Sequence, residues 1–588
     1  MKKTTSATKL ILRSVSYVIK SAPIYALIFV FCFLLNSFIN GISAPVNQKL
    51  YDAIERFSIG NEALKTVIFC AVLVVSVVIA RQLVDTMSSI LDEAFRHATF
   101  LKLEVMMNKK ISRLPLVIFE NKRSLDDIEK ANAGVYGLLD LFTALVRIVF
   151  YYMAYFAIMG VYLCRIKPIL LVSLLLVFVP FAVAQVMQAR IYTNIESELA
   201  PLRRMEDSFY FHAMDVRETR LFGVFHHFHE LRKDVVSLMH QKELTVQKKI
   251  TKINIALNFI KIAGWIAIVA LLFDALVKKE ISIGGFSAVF TSISAMFSNM
   301  EGVFNVIKRN ITNKFGMIGN FVRLMDMEED TGEAKTPDYC CNIVADHISF
   351  TYPNMENPAV KNVSLTIHAG ETVAFVGENG SGKTTLSKLL LGLYKPDTGT
   401  VFVGGCDISK TAENYLFAKS SAVFQNFKSY GVLTLSDNVR VGDFRCEDSA
   451  ETALADSEVD YSDAKTFPEG LNTVMSREFG GIDISKGQWQ RVAMARGLYR
   501  KHQFIILDEP TASIDPLEET HIYKRFAEIA KNKTVLLITH RLGSARIADR
   551  IVVMDHGNIV EVGTHEDLLK KHGKYAEMWE LQASGYQQ

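Results

Sequence analysis

The stretch that decides the fold runs Val373-Ala-Phe-Val-Gly-Glu-Asn-Gly-Ser-Gly-Lys-Thr-Thr385. Its first four residues form a short apolar run that reads as a buried strand. Gly377 to Thr384 then match G-x-x-x-x-G-K-[ST], and Thr385 to Leu393 continue as a helix. A strand, a glycine-rich turn and a helix in that order make a phosphate cradle. The backbone of Gly377, Asn379, Gly380, Ser381 and Gly382 would wrap the phosphates, and the helix N-terminus at Thr385 favours their charge. Lys383 would reach the β/γ oxygens, and the Thr384 hydroxyl would bind Mg²⁺.

Two later strand ends carry the chemistry that such a cradle needs. Phe504-Ile-Ile-Leu507 reads as a core strand ending in Asp508-Glu509. An acid there can hold Mg²⁺, and the next carboxylate can orient or deprotonate an attacking water. Leu536-Leu-Ile-Thr539 is a second such strand, ending at His540. A lone histidine is most often structural. One that follows a core strand, in the same domain as a phosphate loop and an acidic pair, reads as a γ-phosphate contact.

Upstream the composition changes. Residues 326–341, DMEEDTGEAKTPDYCC, are polar and acidic and read as a linker between domains at 1–325 and 342–588. The net charge of +3 conceals this division: residues 1–325 hold 38 Lys+Arg and 24 Asp+Glu, whereas residues 326–588 hold 27 and 38. At 50% hydrophobic residues the chain is not intrinsically disordered. Seven cysteines without a C-x-x-C pair make neither a disulfide scaffold nor a metal site, and read as reduced thiols.

A membrane-spanning helix needs about 20 mostly apolar residues. Six runs qualify: near 22–45, 66–84, 138–164, 168–187, 255–277 and 284–307. The first is longer than the apolar core of a signal peptide and reads as a retained span. Long polar segments follow the second and fourth runs, and they are nearly free of Gly and Pro, so they can continue as helices. The N-terminus, the two long segments and the stretch after the last span hold 5, 8, 11 and 4 Lys+Arg, against three, two and two in the short loops. By the positive-inside rule these regions and the second half are cytoplasmic. The basic excess is therefore a topology signal, and no nucleic-acid partner is needed to explain it. Ser287, Thr291, Ser294 and Ser298 share one face of the sixth run. That face reads as small-residue helix packing or, less often, as a substrate path. Asn258 and Lys261 on the fifth run and Asp140 and Arg147 on the third are costly against lipid. The last two, seven apart, read either as neighbours on one side of the helix or as residues at its cytoplasmic end.

Taken together, these motifs resemble the nucleotide-binding domain of ABC transporters, and six spans with two long cytoplasmic segments resemble the exporter-type half-transporter. The resemblance implies a six-helix membrane domain fused to an α/β P-loop ATPase, with ATP and Mg²⁺ as ligands. It implies that Tyr352 stacks on adenine, that Gln425 senses Mg²⁺ and γ-phosphate, and that Asp508 and Thr384 join it at the metal. Glu509 and His540, with Gln425, are then the catalytic set. Ile484-Ser-Lys-Gly-Gln488 stands where the family has L-S-G-G-Q, with Lys486 replacing the first Gly and Ile484 the Leu. Ser485, Gly487 and Gln488 are then expected to meet the nucleotide of the opposite subunit. Ser513-Ile-Asp515 resembles the D-loop, Met475 to Gly480 the X-loop, and Ile118 to Asn121 and Arg203 to Phe211 coupling segments. One cassette per chain implies a dimer, most simply two identical copies.

Glu478-Phe-Gly-Gly481 with Gly487-Gln-Trp-Gln-Arg491 is similar to bacterial peptide and bacteriocin-type exporters. The expected activity is ATP-driven export of a peptide or other amphiphile from a bacterial inner or plasma membrane. Membrane lipid is a further expected partner. Lipid flipping, import through the exporter fold and ATP-dependent gating are the alternatives. No peptidase-like stretch precedes the first span, so leader cleavage by this chain is not expected.

Overall fold

The computed structural model describes residues 7–585 apart from 215, 308–313, 512–521, 523–524, 527 and 530. Two compact units emerge: Met1–Ile111 with Asp126–Met327, and Ser112–Leu125 with Glu328–Gln588.

The first unit is all helix. Among the described residues, five helical stretches are long and apolar enough to cross a membrane: Pro23–Ser58, Leu64–Ile111, Ser124–Ile166, Pro168–Gln188 and Phe225–Val277. The sixth expected span lies on Ile283–Val306, a helix of 24 residues. At about 36 Å it is long enough. It falls short only in mean hydropathy, because Ser287, Thr291, Ser294, Ser298 and Asn299 dilute the run. The long polar segments do continue as helix. Leu64–Ile111, Pro168–Met214 and Phe225–Val277 run for 48, 47 and 53 residues, with nothing in those sequences to stop them except the tolerated Pro180 and Pro201. Between Arg147 and Met153 the third span loosens into π-helix. A core of Tyr155, Met159, Leu272, Val289, Ile293, Met296 and Phe297 binds the later spans to one another.

Asp140 does not pair with Arg147. It takes Arg96 at 2.9 Å and Lys314 at 3.6 Å, while the Arg147 guanidinium lies 5.5 Å from the centre of the Phe33 ring. Seven residues along one helix leave two side chains two turns apart, so cations on neighbouring helices are nearer.

The second unit is built on two sheets. Strands β1 (Ile343–Phe350), β2 (Val360–Ile367), β4 (Thr398–Val403) and β5 (Cys406–Asp407) form an antiparallel sheet in the order β2-β1-β4-β5. Strands β3 (Thr372–Val376), β6 (Ser420–Val423), β7 (Phe504–Asp508), β8 (Thr534–Ile538), β9 (Arg550–Asp555) and β10 (Asn558–Gly563) form the other, ordered β10-β9-β3-β8-β7-β6. From β9 to β6 every pairing is parallel. Strands β7 and β8 are buried at every position, which is why they read as unbroken apolar runs. One face of this sheet packs with the antiparallel sheet through Phe375, Leu386, Leu390, Ile506 and Ile538. The other packs Val376, Leu507, Leu537 and Val553 against helices. A helical lobe between residues 435 and 499 has a core of its own around Leu435, Leu454, Met475 and Val492.

Residues 326–341, expected as a linker, are partly packed. Tyr339 is buried, and its hydroxyl bonds the Leu416 carbonyl and Ser420. Asp330 pairs with Lys395.

Candidate functional site: a phosphate loop with a carboxylate between two polar arms

The site follows from the sheet order. Strands β3, β8, β7 and β6 are consecutive neighbours and run the same way. Their carboxyl ends therefore open on one edge, where ligands of open α/β sheets bind. The loop after β3 carries the phosphate-cradle residues. His540 follows β8, Asp508 and Glu509 end β7, and Gln425 follows β6.

In the loop, Gly377 has φ +149° and Gly382 φ +101°, left-handed values that a side chain would strain. A Cβ on either would also strike backbone, at Met554 and Ala359 respectively. The buried Lys383 ammonium donates to the Gly377 and Glu378 carbonyls at 2.9 and 2.8 Å and to Ser381 Oγ at 3.3 Å. Burial lowers the pKa of Lys383, and the carboxylates of Glu509 and Asp508 oppose that shift. Helix Lys383–Leu391 starts here, so its free amides face the loop.

The carboxylates are held differently. Thr384 Oγ1 lies 3.4 Å from Asp508 Oδ1. Burial pushes Asp508 up to about 6, against the Thr384 hydrogen bond, which pulls it down. Glu509 is bracketed: Gln425 Nε2 donates to its Oε2 at 2.6 Å, and His540 Nε2 stands 2.7 Å from its Oε1. Burial also lowers the His540 pKa, helped by the positive charge of Lys383. Glu509 is itself unusual, with φ +47°, a conformation that costs a non-glycine residue about 1–2 kcal/mol. It is held there from two sides. Its N–H donates to the Ile538 carbonyl at 3.0 Å, and its own carbonyl accepts from Gln490 Nε2 at 3.1 Å.

Gln490 escaped the sequence reading. The signal was faint: a polar residue on the buried face of helix Lys486–Tyr499, where only apolar residues are expected.

Other expected site residues are elsewhere. Ser485, Gly487 and Gln488 sit at the start of that same helix. Ser485 and Gln488 cap it reciprocally, Ser485 Oγ accepting from Gln488 N at 3.2 Å and Gln488 Oε1 from Ser485 N at 2.9 Å. Tyr352 is tied to the phosphate-loop helix, its hydroxyl 3.1 Å from Thr385 Oγ1 and its ring edge-on to Phe350 and Tyr394. Asn379, Gly380 and Ser381 complete the loop. The D-loop residues Ser513 to Asp515 lie outside the described residues.

A second feature joins the site from sequence far away. Segment Ser112–Leu125 belongs to this unit. Its short 3₁₀ turn Leu116–Glu120 packs Leu116 and Val117 against the core, and Glu120 accepts from the Tyr394 hydroxyl. Between turn and sheet is a cavity of about 460 Å³ lined by Leu116, Phe119, Glu120, Thr384, Gln425 and Asp508. Ile118 to Asn121, expected as a coupling segment, therefore lies beside the cradle. Arg203 to Phe211 continues helix Pro168–Met214 in the first unit.

The family description of ABC transporters matches residues 360–512, the span from β2 past Glu509. The subtilin transport ATP-binding protein of Bacillus subtilis is 27% identical over 512 residues, 84% of this chain and 82% of that protein. The second unit of this chain carries an ABC transporter ATPase domain. Lipid A-core flippases are also similar. That of Photobacterium profundum is 34% identical over 317 residues and that of Vibrio cholerae 33% over 363, but the alignments cover only 52% and 61% of those proteins. A solved bacterial Atm1-family ABC exporter with ATP bound superposes with a TM-score of 0.81 at 21% identity, covering 95% of this chain and 99% of that one. The fold is thus that of an ABC exporter half-transporter, with a membrane domain and an ATPase domain in one chain. The matched domain implies ATP binding, and the protein is an integral membrane protein whose ATPase domain is cytoplasmic.

Proposed function

We propose that this chain is one half of an ATP-driven exporter whose cargo is a peptide, and that two copies make the working machine in a bacterial inner membrane. One observation carries the peptide reading. An alignment covering 84% of this chain must include most of the membrane domain, where cargo is selected, and the protein so aligned is a subtilin transporter. The flippase alignments cover 52–60% of this chain, so they leave out a large part of the membrane domain or of the ATPase domain. Their higher identity favours lipid flipping as the second reading.

The hard-oxygen donors Thr384, Gln425 and Asp508, the last a buried carboxyl that resists ionising alone, suit Mg²⁺. Bound there with ATP, that ion would neutralise phosphate charge. Lys383 is placed to exchange its loop carbonyls for the β/γ oxygens, gaining an anionic partner in place of neutral ones. Glu509 is the general base for the attacking water, oriented by Gln425 and His540. Ser485, Gly487 and Gln488 of the second copy would complete the pocket. Their exposed helix end points its amides outward, as an anion site requires. ATP then holds two cassettes together, and its hydrolysis releases them. Glu120 and Leu116, beside Thr384 and Gln425, are positioned to carry that cycle into the long helices.

Transport by the purified chain in proteoliposomes tests this. ATP-dependent accumulation of an amphiphilic peptide inside vesicles whose cassettes face outward supports export. Movement of labelled lipid without peptide transport would establish the second reading, and failure to load outward-cassette vesicles would reverse the direction.

A further inference from the structure

We propose that Lys261 and Glu301 form a charged recognition site for zwitterionic cargo, binding a peptide through both a carboxylate and an ammonium group. The inference deepens the peptide-export reading and rests on it.

Helices Phe225–Val277 and Ile283–Val306 enclose a cavity of about 400 Å³, lined by Asn258, Lys261, Trp265, Phe297, Ser298 and Glu301. That is the volume of an ordinary small-ligand pocket. Lys261 Nζ pairs with Glu301 Oε1 at 2.5 Å, and the same ammonium lies 5.9 Å from the centre of the Phe297 ring. Phe297 is buried, while Trp265 rests 5.6 Å from Phe290. Lys261 and Glu301 are 32% and 38% exposed.

Depth makes this placement informative. Lys261 precedes the end of its helix by 16 residues and Glu301 follows the start of its own by 18, or about 24 and 27 Å along the axes. By the positive-inside rule, the short loop that joins these two ends is on the non-cytoplasmic side. The pair therefore sits in the cytoplasmic third of a hydrocarbon core about 30 Å thick. A partly exposed ion pair at that depth is costly against lipid. Ser294 and Ser298 are exposed beside it, whereas Ile293, Met296 and Met300 on the opposite face are buried. The polar side of the sixth helix is thus the unpacked side, which suits a water-filled path and not a lipid contact.

The ion pair dictates what can bind. A purely anionic ligand that takes Lys261 leaves Glu301 without a partner in a poorly solvated place, and a cation does the reverse to Lys261; each is opposed. A ligand with both charges exchanges one pair for two and strands neither. Peptides with free termini or mixed side-chain charges have this chemistry, with Trp265 and Phe297 offering apolar and cation-binding faces. A polyphosphorylated lipid does not, because Glu301 repels it. Selection by charge repulsion, as well as attraction, is the usual route to specificity.

The test uses the full-length protein in proteoliposomes and four forms of one fluorescent amphiphilic peptide: free termini, acetylated amine, amidated carboxyl and both blocked. The readout is the ratio of half-maximal transport concentrations between blocked and free forms. Wild type is expected to favour the free form roughly tenfold over either singly blocked form, the worth of one charge-assisted hydrogen bond. Lys261→Gln should erase the penalty for the amidated carboxyl alone. Glu301→Gln should erase that for the acetylated amine alone. The exchanged variant K261E/E301K keeps an ion pair if either single variant misfolds, and it should retain both penalties. Peptide transport by wild type with ratios unchanged in both single variants would overturn this inference and leave the export reading intact. Absence of any peptide transport, with labelled lipid moved instead, would overturn both.

Discussion

The ATP site and the charged cavity of the membrane domain are both made of ion pairs and polar contacts, but they are held in opposite ways. In the ATP site Lys383 and Glu509 are each fixed by several contacts, from backbone and from neighbouring side chains. Lys383 lies against its own loop carbonyls, and Glu509 is pinned at both its amide and its carbonyl. In the membrane cavity Lys261 and Glu301, on two long helices, hold only each other among the charged groups of the described residues. Preorganised dipoles suit a reaction whose transition state never varies. A pair that can be exchanged suits cargo that must bind and then leave.

The sharpest way to break this comparison is at Glu509. Glu509→Gln keeps the shape and its neighbours but removes the proposed base. Steady-state ATPase activity should fall by about 10²–10⁴-fold, with nucleotide binding retained by equilibrium titration. Full activity would show that the bracketing by Gln425 and His540 serves only structure.

Acid offers a second test, acting on the cassette through one buried side chain. His502 donates from Nδ1 to the Arg500 carbonyl at 2.6 Å and faces the Lys533 ammonium with Nε2 at 3.4 Å. Burial and that cation push its pKa from 6.5 to about 4. The folded state therefore binds fewer protons here than the unfolded chain. Its stability is complete above about pH 6.5 and drains away as pH falls toward 4. The loss is at most about 3 kcal/mol. Thermal melts of the cassette transition at pH 7 and 4.5 should show a smaller acid shift for His502→Asn than for wild type. An equal shift would mean that this histidine is not the titrating group.

Gln490→Leu comes next in size. It strands the Glu509 carbonyl and relaxes the residue held at φ +47°. A stranded buried acceptor costs about 1–3 kcal/mol, so turnover should drop by roughly tenfold, with the ATP concentration for half-maximal rate little changed. A rate equal to wild type would show that the strand end needs no brace from the helical lobe.

Gln490 also marks where the sequence stopped being legible. The cradle, the acidic strand end and His540 could be read because each is local, a few residues joined to a strand or helix whose periodicity announces it. The spans could be read because apolarity over 20 residues is itself the signal. Gln490 on Glu509, Arg96 on Asp140 and Tyr394 on Glu120 are pairings across 19, 44 and 274 residues. Their partners are chosen by packing, which composition does not reveal. For Asp140, local spacing pointed to Arg147 because the helix was considered alone. The polar stripe of the sixth helix left its purpose open for the same reason. Which face a neighbour covers decides it, and here Ile293 and Met296 take the packed side.

The smallest expected effect tests the joint between the two modes. Tyr394 gives its hydroxyl to Glu120 and lies near Lys388, whose ammonium is 3.3 Å from that oxygen and 3.9 Å from Glu120. Tyr394→Phe removes one hydrogen bond to a charged group and leaves Glu120 only the weaker Lys388 contact. With a half-exposed carboxylate, the loss is about 1 kcal/mol. Basal ATPase should stay within about twofold, since no atom of Glu509, Gln425 or His540 is touched. What should fall is the extra ATPase that transported peptide evokes, because Glu120 sits on the segment that continues into the long helices. If stimulation survives unchanged while basal activity drops, Tyr394 supports the cradle alone. The rigid site and the exchangeable one must then communicate by another route.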